Sequence, residues 1–246
     1  DTRPFGIDTG YFKGTFAEHN WDALPADIKF VLPCFGSGEW IEPKASEYAA
    51  KLVEIGRLWG PWFFFYRHDS PKEIVKMWLK TPKSDHFPRS VDYEASRKFG
   101  TIPSATTLKE VVERIEQADG EACMIYSRKE LIDKYLATLS TEWLNQRWYW
   151  LAQYIGDSTK EDLRPVILPL RIKRERILFH QTADHVTPFP GFYTHVPTPR
   201  YMDTDRYIGL QPLDVFTGQP NAPVPPTLEQ RVVSLEARVT EIENGA

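Results

Sequence analysis

The segment Ser90–Glu94 carries two carboxylates, Asp92 and Glu94, at the end of a short predicted strand. Side chains alternate along a strand, so both would project from one face, with their Cα atoms roughly 6.6 Å apart. Two carboxylates this close repel each other, so one can keep a proton near neutral pH while the other stays charged. Such a pair suits glycosidic bond cleavage, which needs an acid for the leaving oxygen and an anion facing the developing cation. Taken alone the motif is common, and a solvated strand end is the alternative.

Three further acids are predicted at strand ends, and they are Asp8, Asp203 and Asp205. Asp8 ends the first predicted strand, and the other two lie at the eighth, which neighbours the first when a barrel closes. Because the carboxyl ends of barrel strands form one face, we expect these acids to converge with Asp92 and Glu94. The alternative is structural, with the acids capping helices or pairing with Arg97 and Arg200.

Eight strand-like runs alternate with helical patterns, which predicts parallel strands in a closed barrel. The strands are Phe5–Asp8, Phe30–Phe35, Trp62–Phe65, Ser90–Asp92, Cys123–Tyr126, Trp148–Ala152, Ile177–Gln181 and Tyr201–Asp203. The helices are Pro43–Leu58, Pro71–Leu79, Thr106–Ala118 and Arg128–Leu139. Residues 164–200 are rich in proline and show little helical periodicity. We therefore predict an α/β fold, an irregular TIM-like (β/α) barrel whose helices are reduced in the last third.

The C-terminal part of the chain has a different pattern. Residues 1–211 form the predicted barrel, and the proline-rich stretch 212–226 is a stiff linker. In 227–246 the apolar residues repeat at alternating spacings of four and three, as Leu228, Val232, Leu235, Val239 and Ile242. This heptad seam predicts a short coiled-coil helix and a homo-oligomer held through residues 228–242. The alternative is a single amphipathic helix packed on the barrel.

Composition narrows the classes of partner. The 246 residues carry a net charge of −4, which argues against binding to nucleic acid or an anionic membrane. No apolar run approaches the roughly 20 residues of a membrane span. Cys34 and Cys123 lie in strand-like runs, where two buried thiols are favoured over a disulfide. His180 and His185 do not have the spacing of a metal site.

Short motifs follow one another in a fixed order along residues 5 to 209. They are Gly6-Ile7-Asp8, Phe30-Val31-Leu32, Gly60-Pro61-Trp62-Phe63-Phe64, Val91-Asp92-Tyr93-Glu94, Ile125-Tyr126-Ser127, Trp150-Leu151-Ala152-Gln153-Tyr154, His180-Gln181-Thr182 and Met202-Asp203-Thr204-Asp205. In this order the chain resembles glycoside hydrolase family 25, the lysozymes that cleave the β-1,4 bond between N-acetylmuramic acid and N-acetylglucosamine. The ordered set is far more specific than any one motif.

The resemblance implies a role for each acid. Glu94 resembles the family's general acid, with a pKa that should be raised, and Asp92 the carboxylate that stabilises the cation or orients the substrate's acetamido group. Asp8 and Asp203 resemble the two acids that complete the site. The residues expected to contact the sugar are Trp62, Tyr126, Trp150, Tyr154, Gln181 and Asp205. The resemblance also implies an irregular barrel with five strand–helix units, retention with substrate assistance, and no metal or cofactor.

Three departures from the family's pattern bear on the function. Trp62 and Phe63 stand where the family has Tyr and His, His180 replaces a Trp, and Asp205 replaces an Asn. The predicted function is a lysozyme-like hydrolase that acts on peptidoglycan, secreted to the cell wall or carried on a phage virion. The alternative is a non-catalytic glycan-binding or scaffold domain on the same barrel.

Overall fold

The computed structural model describes residues 2–10, 16–96, 99–186, 189–192 and 201–216. It is a mixed α/β fold built on a closed barrel of eight strands. The barrel strands are β1 (Phe5–Thr9), β2 (Ile28–Ser37), β5 (Trp62–Phe64), β6 (Ser90–Asp92), β7 (Met124–Ser127), β8 (Trp148–Ala152), β9 (Ile177–Val186) and β10 (Met202–Tyr207). Two short strands, β3 (Trp40–Ile41) and β4 (Leu58–Trp59), pair only with β2. Each predicted strand corresponds to one strand of the barrel.

Seven strands of the barrel are parallel, and the eighth is not. β1, β2 and β5 to β9 pair in parallel with their neighbours, whereas β10 is antiparallel to both β9 and β1. The prediction of parallel strands is therefore wrong for β10. The reversal places the start of β10 at the carboxyl ends of the other strands, where Asp203 lies opposite Asp8.

Helices are few and cluster in the first two thirds of the described chain. They are α1 (Ala45–Glu54), α2 (Pro71–Trp78), α3 (Ala105–Asp119), α4 (Lys129–Tyr135) and α5 (Thr141–Leu144), with four short 3-10 turns elsewhere. Pro71 occupies the first turn of α2, where its missing N–H costs nothing. Between β8 and β9 the described chain contains one 3-10 turn, Arg174–Arg176, and no α-helix. Pro165 and Pro169 lie in that stretch, and neither could occupy a helix interior without the loss of a hydrogen bond.

The alternation of side chains along the strands separates the core into two layers. Residues such as Ile7, Val91 and Ile125 face outward and pack under the helices. The inward set includes Phe30, Phe179 and Trp150, which fill the barrel. Gly6 is required for this filling, because a Cβ there would lie 2.3 Å from the ring of Phe30. These aromatic side chains fill the lower barrel, and a cavity opens above them at the carboxyl ends of the parallel strands.

The structure can be compared with the predictions for the cysteines and for membrane spans, but not with those for the C-terminal segment. Cys34 and Cys123 are both buried free thiols, as predicted. In the part of the chain that is described, no helix is long and apolar enough to cross a membrane. The linker from residue 217 onward and the heptad segment 227–246 lie outside the described residues, and so do Arg97 and Arg200.

Candidate active site

A cavity of about 320 Å³ opens at the carboxyl ends of the parallel strands, and all four predicted catalytic acids line it. Asp8 comes from β1, Asp92 from β6 and Asp203 from β10, and each of these carboxylates is buried. Glu94 lies nearer the mouth, with 27% of its side chain exposed. Side chains from three separate strands and one loop therefore converge on one small volume, which like-charge repulsion would oppose without a compensating role.

The chain around Asp92 and Glu94 differs from the continuous strand that the spacing predicts. β6 ends at Asp92, and Glu94 lies in the loop that follows. Between them, Tyr93 is buried, with its N–H donated to the carbonyl of Tyr126 and its hydroxyl donated to the carbonyl of Pro103, each at 2.9 Å. This anchor keeps both carboxylates on the cavity and brings Glu94 toward solvent.

Gln181 connects the acids of β1 and β10 to two tyrosines. Its Nε2 donates to Asp8 Oδ2 at 2.6 Å and to Asp203 Oδ2 at 3.4 Å. Its Oε1 accepts from the hydroxyl of Tyr126 at 2.7 Å and from the hydroxyl of Tyr154. All four hydrogen bonds fix the orientation of the amide, so its NH₂ group points at the carboxylates.

Arg128 is the cation that faces this group of acids in the described structure. Its Nε lies 3.9 Å from Glu94 Oε2, and its guanidinium is centred 5.3 Å from the ring of Tyr154. Burial disfavours the charge of Arg128, but Glu94 and the neighbouring tyrosines hold the pKa of Arg128 above its ordinary value. Arg128 therefore places a positive charge beside Glu94 at the mouth of the cavity.

The pKa of Asp92 reflects its place in the cavity. Burial raises the pKa of Asp92 well above its ordinary range, and repulsion by Glu94 and Asp8 adds to the rise, whereas Arg128 opposes it. Asp92 Oδ1 is buried without a hydrogen-bond partner among the described residues. The raised pKa expected for Glu94 stays a prediction, and the raised pKa of Asp92 follows from its buried position. The resting site therefore holds a proton on Asp92 more readily than an ordinary aspartate would.

Four of the six predicted sugar-contacting residues line the cavity: Trp62, Tyr126, Trp150 and Gln181. The other two lie behind it. Tyr154 contacts Gln181 and Arg128, and buried Asp205 accepts a hydrogen bond of 2.7 Å from the indole N–H of Trp150. Both side chains thus contact residues that line the cavity, and their assignment as sugar contacts stays a prediction.

Two of the sequence departures face away from the cavity. Phe63 points outward and stacks on Trp78, with ring centroids 4.9 Å apart. His180 is also buried outside the barrel, where Nε2 lies 3.0 Å from the carbonyl of Gln153, and burial lowers the pKa of His180. Neither side chain therefore lines the cavity.

Sequence reasoning missed several residues of the cavity wall. They include Cys34, Phe64, Tyr66, Asp184, His185 and Tyr201. Phe64 follows from alternation, because it shares the inward face of β5 with Trp62. The loop residues carry no such periodic signal. Within the described ranges, no group of three or more His, Cys, Asp or Glu side chains is arranged to hold a metal ion.

The Gln181 amide can be tested with Gln181→Glu, which keeps the acceptor for both tyrosines but replaces the donor that faces Asp8 and Asp203. We expect the free energy of unfolding at pH 7 to fall by about 1–3 kcal/mol, since a further anion then faces two buried carboxylates. The deficit should shrink as these carboxyls protonate at lower pH. Urea unfolding at pH 4.5 and pH 7 measures it. Gln146→Glu, which adds the same charge at an exposed position, is the control; equal effects of the two variants would contradict the role of Gln181.

A scan against protein-family models gives no match, and no curated protein matches by sequence. Solved structures do match. A family 25 glycosyl hydrolase from Bacillus anthracis aligns with a TM-score of 0.61 at 16% identity, over 83% of this chain and 88% of its own. A lysozyme from Streptomyces coelicolor aligns with a TM-score of 0.65 at 14% identity, over 85% of this chain and 94% of its own. The modular autolysin LytC from Streptococcus pneumoniae was solved in complex with a synthetic peptidoglycan ligand. It aligns with a TM-score of 0.61 at 14% identity, over 84% of this chain and 47% of its own. The chain therefore shares the fold of the family 25 hydrolases that its motifs resemble.

Proposed function

We propose that this protein is a glycoside hydrolase that cleaves the β-1,4 bond between N-acetylmuramic acid and N-acetylglucosamine in peptidoglycan. The observation that carries the proposal is the convergence of Asp8, Asp92, Glu94 and Asp203 on one cavity. Structures of this fold are described as a family 25 glycosyl hydrolase, a lysozyme and an autolysin bound to a peptidoglycan ligand, which supports a polysaccharide substrate. The finer fold assignment, an irregular TIM-like (β/α) barrel, belongs to the same proposal.

In this proposal Glu94 is the general acid. Its position at the mouth lets it reach the glycosidic oxygen of a strand that enters from solvent. Glu94 gives its proton to that oxygen as the bond to C1 breaks, and the leaving sugar departs with a free hydroxyl. The same carboxylate then takes a proton from the water that attacks C1, which returns Glu94 to its acid form.

Asp92 is the charged partner in the transition state. When the substrate's acetamido N–H donates to Asp92, that hydrogen bond favours the anion, and the proton shared by the pair resides on Glu94. The acetamido oxygen can then attack C1 and form a cyclic intermediate, and water reopens it with net retention. Asp8 and Asp203 add negative potential below the developing cation, in a site from which the aromatic walls exclude water.

One argument for the alternative, a non-catalytic glycan-binding domain, is weaker than the sequence suggests. The apolar residues Trp62 and Phe63 favour this alternative, but Phe63 packs against Trp78 away from the cavity. Trp62 lines the cavity and donates its indole N–H to the carbonyl of Leu32 at 3.1 Å, so it forms a fixed wall. Such a wall suits sugar binding in an enzyme as well as in a lectin-like domain. Cleavage of purified cell walls, with new reducing ends assayed, separates the two functions.

The proposal for the remaining chain rests on its sequence. Residues 212–226 would be a linker and 227–246 a coiled coil that joins copies of the protein, and the setting would be a cell wall, a secreted enzyme or a phage virion. We expect the full chain to sediment as an oligomer and a chain ending at residue 218 as a monomer. Sedimentation of both forms as monomers would contradict the coiled coil.

A further inference from the structure

Three aromatic side chains form a corner beside the mouth of the cavity. Tyr66 and His68 lie nearly parallel, with ring centroids 5.6 Å apart and an angle of 16° between their planes. Phe99 stands perpendicular to both, 5.6 Å from Tyr66 and 5.0 Å from His68. We call these three residues the aromatic corner. The three rings are in contact with one another and together form a small aromatic surface.

The aromatic corner is held in place by the loops beneath it. The backbone N–H of Tyr66 donates to Asp69 Oδ2 at 2.7 Å, and the hydroxyl of Tyr66 lies 3.3 Å from Ser37 Oγ. Gly38 has a positive φ of 57°, and a Cβ there would lie 2.9 Å from the ring of Tyr66. The ring position of Tyr66 therefore depends on a glycine and on two hydrogen bonds, so Tyr66 needs little ordering when a ligand arrives.

The aromatic corner continues the wall of the cavity outward. Tyr66 itself lines the cavity, together with Phe64, whose ring meets Tyr66 edge to face at 5.0 Å. Farther out, Phe99 is 45% exposed and the side chain of His68 is 64% exposed. The exposed rings of Phe99 and His68 therefore lie side by side on the surface next to the cavity.

The chemistry of the aromatic corner suits a sugar ring. The C–H groups of a pyranose face pack on an aromatic ring, while its hydroxyls need polar partners at the edge. Here the rings of Phe99 and His68 supply the apolar faces, and the imidazole nitrogens of His68 supply the polar edge. Asp69 is 3.8 Å from His68 Nε2 and adds an acceptor beneath it.

We propose that the aromatic corner is a distal saccharide subsite, which stacks one sugar ring of the glycan strand outside the catalytic cavity. It deepens the proposed function, because the strand whose bond is cleaved would continue across Tyr66 to Phe99 and His68. Affinity should then grow with glycan length until a ring reaches the corner.

The test uses the full chain carrying Glu94→Gln and β-1,4-linked N-acetylglucosamine oligosaccharides of two to six units. Calorimetry should show tighter binding of the hexamer than of the dimer. Adding Phe99→Ala should weaken hexamer binding about five- to tenfold, the scale of one lost aromatic contact. His68→Ala should act in the same direction. Thermal melts check that each variant is folded.

Tyr135→Ala is the matched control, because Tyr135 is an exposed aromatic on α4 and does not line the cavity. Hexamer binding that is unchanged by both Phe99→Ala and His68→Ala, or no hexamer binding by the parent, overturns the subsite. This readout does not depend on turnover. A protein that releases no reducing ends from cell walls, yet loses hexamer affinity with Phe99→Ala, would retain the subsite while the proposed hydrolase activity fails.

Discussion

Asp92→Asn is expected to inactivate the protein and to stabilise it at neutral pH. Burial and the neighbouring anions raise the pKa of Asp92, so the folded state binds this proton more tightly than the unfolded state does. Between the ordinary pKa of an aspartate, about 3.9, and the raised value, wild-type stability must fall as pH rises. Asparagine keeps the shape of the protonated side chain and cannot ionise, so this loss disappears in the variant.

The variant and the wild type should therefore melt at similar temperatures near pH 4, and the variant should melt higher at pH 7. Each kcal/mol regained corresponds to a rise of about 2–4 °C for a protein of this size. Activity should fall about 10²–10³-fold, because the partner of the developing cation is lost. Thermal melts from pH 4 to pH 8 test the stability effect, with the exposed Asp27→Asn as control. A variant that is less stable than wild type at pH 7 would contradict the account of Asp92.

Glu94→Gln is expected to lower the rate of cell-wall cleavage about 10²–10⁴-fold, the usual contribution of a general acid. Glutamine preserves the size of the side chain and can donate only a weak N–H, so the leaving oxygen receives no proton. Because Glu94 is partly exposed and its side chain stays polar, we expect little change in folding. The measurement is the rate of release of reducing ends from purified walls.

The control for this variant is Glu130→Gln, in the first turn of α4, which changes an acid that does not line the cavity. Glu130→Gln should cleave at the wild-type rate. A Glu94→Gln protein that cleaves at that rate would remove Glu94 from the role of proton donor, even if the protein is a hydrolase.

The alternation of apolar residues predicted much of this architecture. Period-two patterns are local, so they correctly placed the eight barrel strands and the positions of Asp8 and Asp92 at strand ends. Because the carboxyl ends of barrel strands form one face, these positions also predicted that the acids lie together. The structure confirms their convergence on one cavity.

Other features depend on contacts between distant parts of the chain. Gln181 bonds Asp8 across 173 positions, and no local pattern encodes that pair. The antiparallel direction of β10 depends on how the chain returns to β1, which local periodicity does not specify. The raised pKa of Asp92 follows from its depth in the closed barrel, and the aromatic corner joins two loops. Each of these four features therefore depends on the tertiary structure.

The central claim is that the four acids cleave a muramic acid glycoside, and the identity of the new reducing end tests it most directly. Purified peptidoglycan digested by the wild-type protein, then reduced with borohydride and hydrolysed, should yield reduced muramic acid well above the level from the Glu94→Gln digest. Equal amounts from the two digests, or reduced glucosamine in place of reduced muramic acid, would contradict the account.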